Sequence, residues 1–209
     1  MKDIEIKNVY DIGACAGQWT HAMKSGPLFD AKFFMFEGNS IYKEVLQTYN
    51  EFSYVGVLSS PGTDEVEFYN GNDTGDSYYK ETTTHYENRK PVKLPAKTLQ
   101  AVVKEFSLPQ PDFIKIDTQG SELDIFQGAR DLIKQTNFVY MECPIIEFNE
   151  GAPKITQYLE YMKSIRFIPY DIFEVHKAEN VLLQIDIMFV QEKMHKKIFG
   201  DIPHIRPFA

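Results

Sequence analysis

Cysteine, long apolar runs and clustered basic charge are what this chain of 209 residues has little of. Its two cysteines, Cys15 and Cys143, fall in segments read below as a turn and a strand end. No disulfide framework is therefore expected, and a reducing, cytoplasmic setting is the simplest one. No apolar stretch approaches the about 20 residues of a membrane span. The opening "MKDIEIKNVYDIG" carries acids where a signal peptide has its apolar region. Neither secretion nor a membrane anchor is expected. Basic residues are scattered apart from Lys193, Lys196 and Lys197, and the formal net charge is -8, so nucleic acid is not an expected partner.

What is present fits a folded globular protein, with 43% hydrophobic and 25% charged residues. The length suits a single domain over 1–209. Short apolar runs alternate with stretches of helical spacing, which favours a mostly parallel sheet covered by helices. Strands are expected at Asn8 to Ile12, Lys32 to Phe36 and Ser53 to Leu58, with an added strand in "DEVEFYN". Helices are expected from near Gly17, over Ser40 to Tyr49 and over Leu99 to Phe106. "DFIKID" reads as a strand ending in Asp117, "SELDIFQGARDLIKQ" as one helix, and "NFVYMEC" as a fifth strand of the sheet. After a helix over Thr156 to Ile165, "FIPYDIFEVH" and "VLLQIDIMFVQ" are joined by so few residues that they must pair antiparallel. Between Gly71 and Arg89 the chain is polar and reads as a loop insertion, with Tyr78, Tyr79 and Tyr86 embedded in it.

The turn "DIGACAG" is a device for holding a ligand, because glycine lets backbone approach closely and a helix start offers unpaired N–H groups. The dinucleotide fingerprint G-x-G-x-x-G would need a second glycine where Cys15 stands. An acid at the end of the second strand, Glu37, can accept both hydroxyls of a ribose. Asp117 ends the fourth strand on the side where open α/β sheets bind ligands, and it can cap the next helix, orient a cofactor amino group or act as a base. Glu122 and Glu142 lie near it, and three carboxylates around one strand end can hold a divalent cation or an acceptor hydroxyl. Glu122 can also simply favour a helix N-terminus. His85, in the polar loop, is the first choice among five histidines for a base, and His176 reads as structural.

The segments "VYDIGACAGQW", "FFMFEGN", "VGVLSS", "DTGDSY", "KTL" and above all "DFIKIDTQGSELDIFQGA" resemble the successive motifs of the FkbM-type S-adenosylmethionine-dependent methyltransferases. The resemblance runs from about Val9 to Val190. It implies a Rossmann-like class I methyltransferase fold: a seven-stranded, mostly parallel sheet in order 3-2-1-4-5-7-6, helices on both faces and a reversed last strand. It further implies that Asp11, Gly13, Ala14 and Gly17 hold the methionine portion of the cofactor and that Glu37 holds the ribose, with Gly38 and Asn39 beside it. Leu58 and Ser59 fall where adenine would pack, and Asp117 joins the cofactor set. The implied reaction is methyl transfer to a hydroxyl of a sugar or natural-product-like small molecule.

Two departures stand out. Members commonly have proline where this chain has Gly38, and an acid where it has Gln119. The second keeps a non-catalytic module of the same fold open beside an NAD-dependent oxidoreductase. Few residues precede the first strand, so closure over the cofactor is expected from the loop or from a second subunit.

Overall fold

Alternation in "NVYDI" sends Tyr10 and Ile12 to one face of a strand and Val9 and Asp11 to the other, and all four are buried. That two-sided burial marks the centre of a sheet with helices on both faces. The computed structural model describes residues 4–71 and 74–199. Its elements run β1 (Asn8–Ile12), α1 (Gln18–Lys24), β2 (Lys32–Glu37), a 3-10 turn (Ser40–Tyr42), α2 (Lys43–Leu46), β3 (Phe52–Val55), β4 (Val57–Leu58) and β5 (Glu65–Phe68). They continue with β6 (Val92–Lys97), α3 (Leu99–Glu105), β7 (Phe113–Ile116), α4 (Glu122–Gln127), α5 (Arg130–Gln135) and β8 (Phe138–Pro144). The last are α6 (Ile155–Ser164), β9 (Phe167–Ala178), β10 (Val181–Gln191) and α7 (Glu192–Phe199).

Seven strands form one sheet in the order β3-β2-β1-β7-β8-β10-β9. Pairing is parallel from β3 to β8, and β10 runs antiparallel to both β8 and β9. This is the expected order 3-2-1-4-5-7-6 with the last strand reversed. On one face Tyr10, Ile12, Ile114, Ile116 and Val139 pack with Val102, Phe126, Ile133 and Tyr158 from the covering helices. On the other, Val9, Phe33, Phe113 and Phe138 pack with Trp19 of α1 and Met194 of α7.

Four local expectations change. The third apolar run is not one strand: the chain breaks at Gly56, so β3 pairs with β2 while β4 joins a second sheet of order β4-β6-β5. Strand β6 was not expected, and it contains Pro95, a residue that disfavours the interior of a sheet. The Ala96 amide donates to Asp64 O on the β5 side, so the missing amide of Pro95 faces the other side, where β4 pairs only from Ala96 on. The single helix expected after Asp117 is two, because the backbone leaves helical geometry at Ala129, φ −147°, just past Gly128, where a side-chain carbon would come 2.7 Å from Ser59 O and 3.1 Å from Thr98 Cβ. Its apolar stripe of Leu123, Phe126, Ala129 and Ile133 is nonetheless buried. Finally, the Ser40 to Tyr49 segment is helical only to Leu46, and the terminal lysines lie exposed on α7, which turns Met194 inward.

The ends of β1 and β7 meet with no room between them. Gly13 has φ +75°, and a Cβ there would lie 1.8 Å from Asp117 O. Gly62, at φ +83°, has nothing within 4 Å of that position among the described residues. Gly62→Ala should cost only the left-handed backbone penalty, about 1–2 kcal/mol. Gly13→Ala carries the same penalty plus a clash with backbone and should cost more than about 2 kcal/mol. Urea unfolding of the two variants checks the order, and equal losses would mean that the two strand ends can part.

Candidate active site

Beneath the turn after β1, the floor is a buried cation. "FIKI" puts Lys115 on the α1 side of β7, 8% exposed at its side chain, 3.5 Å from Asp11 Oδ1 and 3.7 Å from Asp117 Oδ2. Its ammonium donates to Gly13 O at 2.9 Å. Burial works against its charge, but the Asp117 and Asp11 carboxylates outweigh burial and hold its pKa above the ordinary value. Asp11 is completely buried and accepts from Thr20 Oγ1 at 2.7 Å. It therefore stands behind the turn as a partner of Lys115, outside the cleft.

The carboxyl ends of β1, β2 and β7, together with β4, surround a cleft that opens to solvent. Of the residues singled out from the sequence, Gly13, Cys15, Glu37, Gly38, Leu58, Tyr78, Asp117 and Gln119 line it. Glu37 accepts from the Cys15 amide at 2.7 Å and the Asn39 amide at 2.8 Å, one on each oxygen. Burial pushes its pKa up against these two donors. A Cβ on Gly38 would sit 3.2 Å from the Phe68 ring, so glycine suits this position where the family commonly has proline.

The other cofactor candidates support the cleft from behind. Ala14 packs with Met35 and Leu46, and its amide donates to Phe36 O at 3.0 Å. Gly17 caps α1 in the left-handed conformation against the Tyr49 ring. Asn39 caps the 3-10 turn through Ile41 N and donates to Asp76 Oδ2 at 2.6 Å. Ser59 Oγ donates to Thr63 O at 3.0 Å.

The polar insertion closes one wall of the cleft with Thr74, Asp76, Ser77 and Tyr78; residues 72 and 73 lie outside the described structure. Asp76 accepts from the Gly71 amide and from Tyr86 Oη at 2.7 Å, which buries Tyr86. Tyr78 and Tyr79 both donate to Asp124 Oδ2 on α4, at 3.1 and 2.9 Å. Asn149 Nδ2 donates to Tyr79 O at 2.9 Å, fastening the insertion to the segment after β8. The tyrosines thus pin the insertion down. His85 is exposed, set edge-on to the Tyr86 ring at 5.1 Å, and does not line the cleft.

The candidate acids divide sharply. Glu122 is buried and its carboxylate accepts from Thr118 N at 2.7 Å, Gly120 N at 3.1 Å and Tyr158 Oη at 2.5 Å. Its oxygens are occupied in shaping the turn after β7. Asp117 has a side chain 37% exposed to the cleft, and the cap of α4 is Ser121 instead. Gln119 Nε2 bridges Asp117 Oδ1 at 2.8 Å and Glu142 Oε2 at 3.1 Å, while Gln184 Nε2 donates to the other Glu142 oxygen. Burial, then the charges of Asp117, Glu122 and Asp186, push the Glu142 carboxyl up to about 9. The amide at 119 therefore separates two carboxylates where an acid would add a third. Sequence reasoning missed Lys115, Gln184, Asp124 and Tyr158; the legible signal for Lys115 was a lone cation within a buried apolar strand.

Residues 11–169 match the methyltransferase FkbM domain family. Among solved structures, the chain is similar to a methyltransferase FkbM from Methylobacillus flagellatus KT, at 14% identity and TM-score 0.53 over 90% of this chain and 44% of that one. It is also similar to a chain of a fibrillarin/Nop5p complex, at 11% identity and TM-score 0.51 over 91% and 75% of the two chains. At these identities the likeness is one of fold, and the chain spans less than half the length of the first structure. No curated protein sequence matches. With the family motifs covering well over half of the sequence on the expected sheet, the chain belongs to the FkbM-type family of class I S-adenosylmethionine-dependent methyltransferases.

Proposed function

We propose that this chain transfers the methyl group of S-adenosylmethionine to a hydroxyl of a sugar or natural-product-like small molecule, with Asp117 receiving the hydroxyl proton. The observation that carries this reading is Asp117 itself, a carboxylate open to the cleft and held from behind by Lys115 and Gln119. A hydroxyl is weakly acidic and needs a positioned proton acceptor.

The residues present suit the cofactor. Each Glu37 oxygen has one amide donor and keeps acceptor capacity for a ribose hydroxyl. Val57, Leu58 and Ile125 supply apolar walls for a purine, and Gly13, Cys15 and Asp117 line the remainder, where the methionine portion would lie. When bound, S-adenosylmethionine supplies a methyl carried on a sulfonium, with a neutral thioether as leaving group. Lys115 fixes the strand-end carboxylate, and the insertion walls one side with Asp76, Ser77 and Tyr78. With its pKa pushed up to about 9, Glu142 favours the protonated form, and the Gln119 bridge joins it to Asp117.

The nicotinamide reading draws no support from the turn, where Cys15 lines the cleft in place of the second fingerprint glycine. A non-catalytic module was kept open by Gln119, which now has a bridging role of its own.

Incubation with labelled S-adenosylmethionine and a panel of sugars and alcohols should yield a labelled ether. Asp117→Asn should retain cofactor binding by calorimetry and lower transfer by at least about 100-fold, while His85→Ala leaves turnover near wild type. Undiminished transfer by Asp117→Asn would remove the proposed base, and no transfer from wild type to any alcohol would favour the module.

Glu142 makes a separate forecast about stability. A carboxyl whose folded pKa is raised contributes stability that is present below its unfolded pKa, about 4.3, and is lost as pH rises toward the folded value near 9. Wild-type unfolding free energy should therefore fall, relative to Glu142→Gln, by at least about 1 kcal/mol between pH 5 and pH 9. Urea melts across that range test it, and parallel pH profiles would mean that Glu142 ionises freely.

A further inference from the structure

Beyond the cleft, the β9–β10 hairpin carries a second polar cluster that the transfer reading does not use. Register sets Asp186 opposite Glu174 on β9 and opposite Glu142 on β8, with His176 opposite Gln184. Residues two apart on a strand share a face, so Glu174, His176 and Asp186 point the same way. His176 Nε2 lies 3.4 Å from Glu174 Oε2 and 3.6 Å from Asp186 Oδ1. All three atoms fall within 4.8 Å of one another.

Asp186 makes this more than a group of surface charges. Its side chain is 11% exposed, and its Oδ1 is a buried oxygen that accepts no hydrogen bond among the described residues. Its other oxygen accepts from Tyr140 Oη at 2.6 Å, which fixes the carboxylate with Oδ1 turned toward His176. A buried acceptor without a donor is costly unless something positive meets it. Tyr140 stands where an outer partner commonly orients a metal-binding carboxylate.

We propose that Glu174, His176 and Asp186 bind a divalent first-row transition metal, zinc foremost, as a three-ligand site completed by water. One imidazole and two carboxylates suit zinc or manganese better than magnesium, which prefers oxygen ligands alone and keeps its waters. In a tetrahedron with bonds of about 2.0–2.2 Å, neighbouring ligand atoms stand about 3.3–3.6 Å apart, and the two separations from His176 Nε2 match that spacing. Glu174 and His176 have side chains 60% and 41% exposed, leaving an approach for the ion from solvent. The ion would tie the outermost strand β9 to β10 two strands away from Asp117 in the sheet order. This site does not depend on the identity of the methyl acceptor.

The test uses full-length protein, freed of tags and stripped of metal, titrated by calorimetry with zinc, manganese and magnesium chlorides. One equivalent of zinc should bind in the micromolar range or tighter, with no heat from magnesium. Cobalt(II) should give the visible absorption bands of a low-symmetry tetrahedral site. His176→Ala should weaken zinc by at least about tenfold and abolish those bands, without lowering the melting temperature of the metal-free protein. Glu174→Gln, at an exposed position, is the second variant should His176→Ala fail to fold. Zinc affinity unchanged in either folded variant, or no saturable zinc binding by wild type, overturns the proposal.

Discussion

A single buried ammonium organises the ligand-binding end of the sheet. Lys115 reaches from β7 beneath the first turn, donates to Gly13 O and sits between Asp11 and Asp117. Burying a cation is unfavourable in itself, and removing one member of such a group leaves an uncompensated charge. The group therefore works as a unit: two carboxylates keep the ammonium charged, and the ammonium keeps the ends of β1 and β7 together. Gly13 completes it, since only a residue without a side chain lets the turn lie against Asp117 O. The cleft floor is thus set by electrostatics and sterics acting at the same few atoms.

Around that floor, acids serve as receptors for backbone amides. Glu37 takes the Cys15 and Asn39 amides, Glu122 takes those of Thr118 and Gly120, and Asp76 takes that of Gly71. Each pins an irregular turn that neither helix nor sheet hydrogen bonds could hold. Asp124 performs a related task by receiving two tyrosine hydroxyls from the insertion. Much of the negative charge near the cleft is therefore part of the scaffold, which is why an excess of acids says little about the ligand.

The main sheet was legible because its strands are short, apolar and punctuated, and the closing hairpin because its connection is too short for a crossover. What was not legible depended on tertiary contact. Pro95 is admissible in β6 only because β4 is too short to reach its missing amide. The helix after Asp117 breaks at Ala129, beside a Gly128 packed closely against Ser59 and Thr98. In the site, glycines and acids could be marked from sequence, but their facing could not. Asp11 and Glu37 each lie near a strand end, yet one is sealed beneath the turn and the other faces the cleft. Gln119 looked like a loss of charge until its amide was found between two carboxylates.

That amide also explains how the two sides of the cleft come to differ. On the β2 side, Glu37 has a backbone amide on each oxygen, a setting made for holding neutral hydroxyl groups. On the β7 and β8 side, Asp117 has a cation at 3.7 Å, while Glu142 has only side-chain amides and other acids nearby. The protein thus supplies one carboxyl set beside Lys115 and a second whose pKa burial raises, joined through the Gln119 amide. Under the proposed reading, cofactor recognition belongs to the first side and proton movement to the second. Because the two sides meet at Gly13 and Asp117, a change in the acceptor would be accommodated around β8 and β10 without disturbing the ribose side.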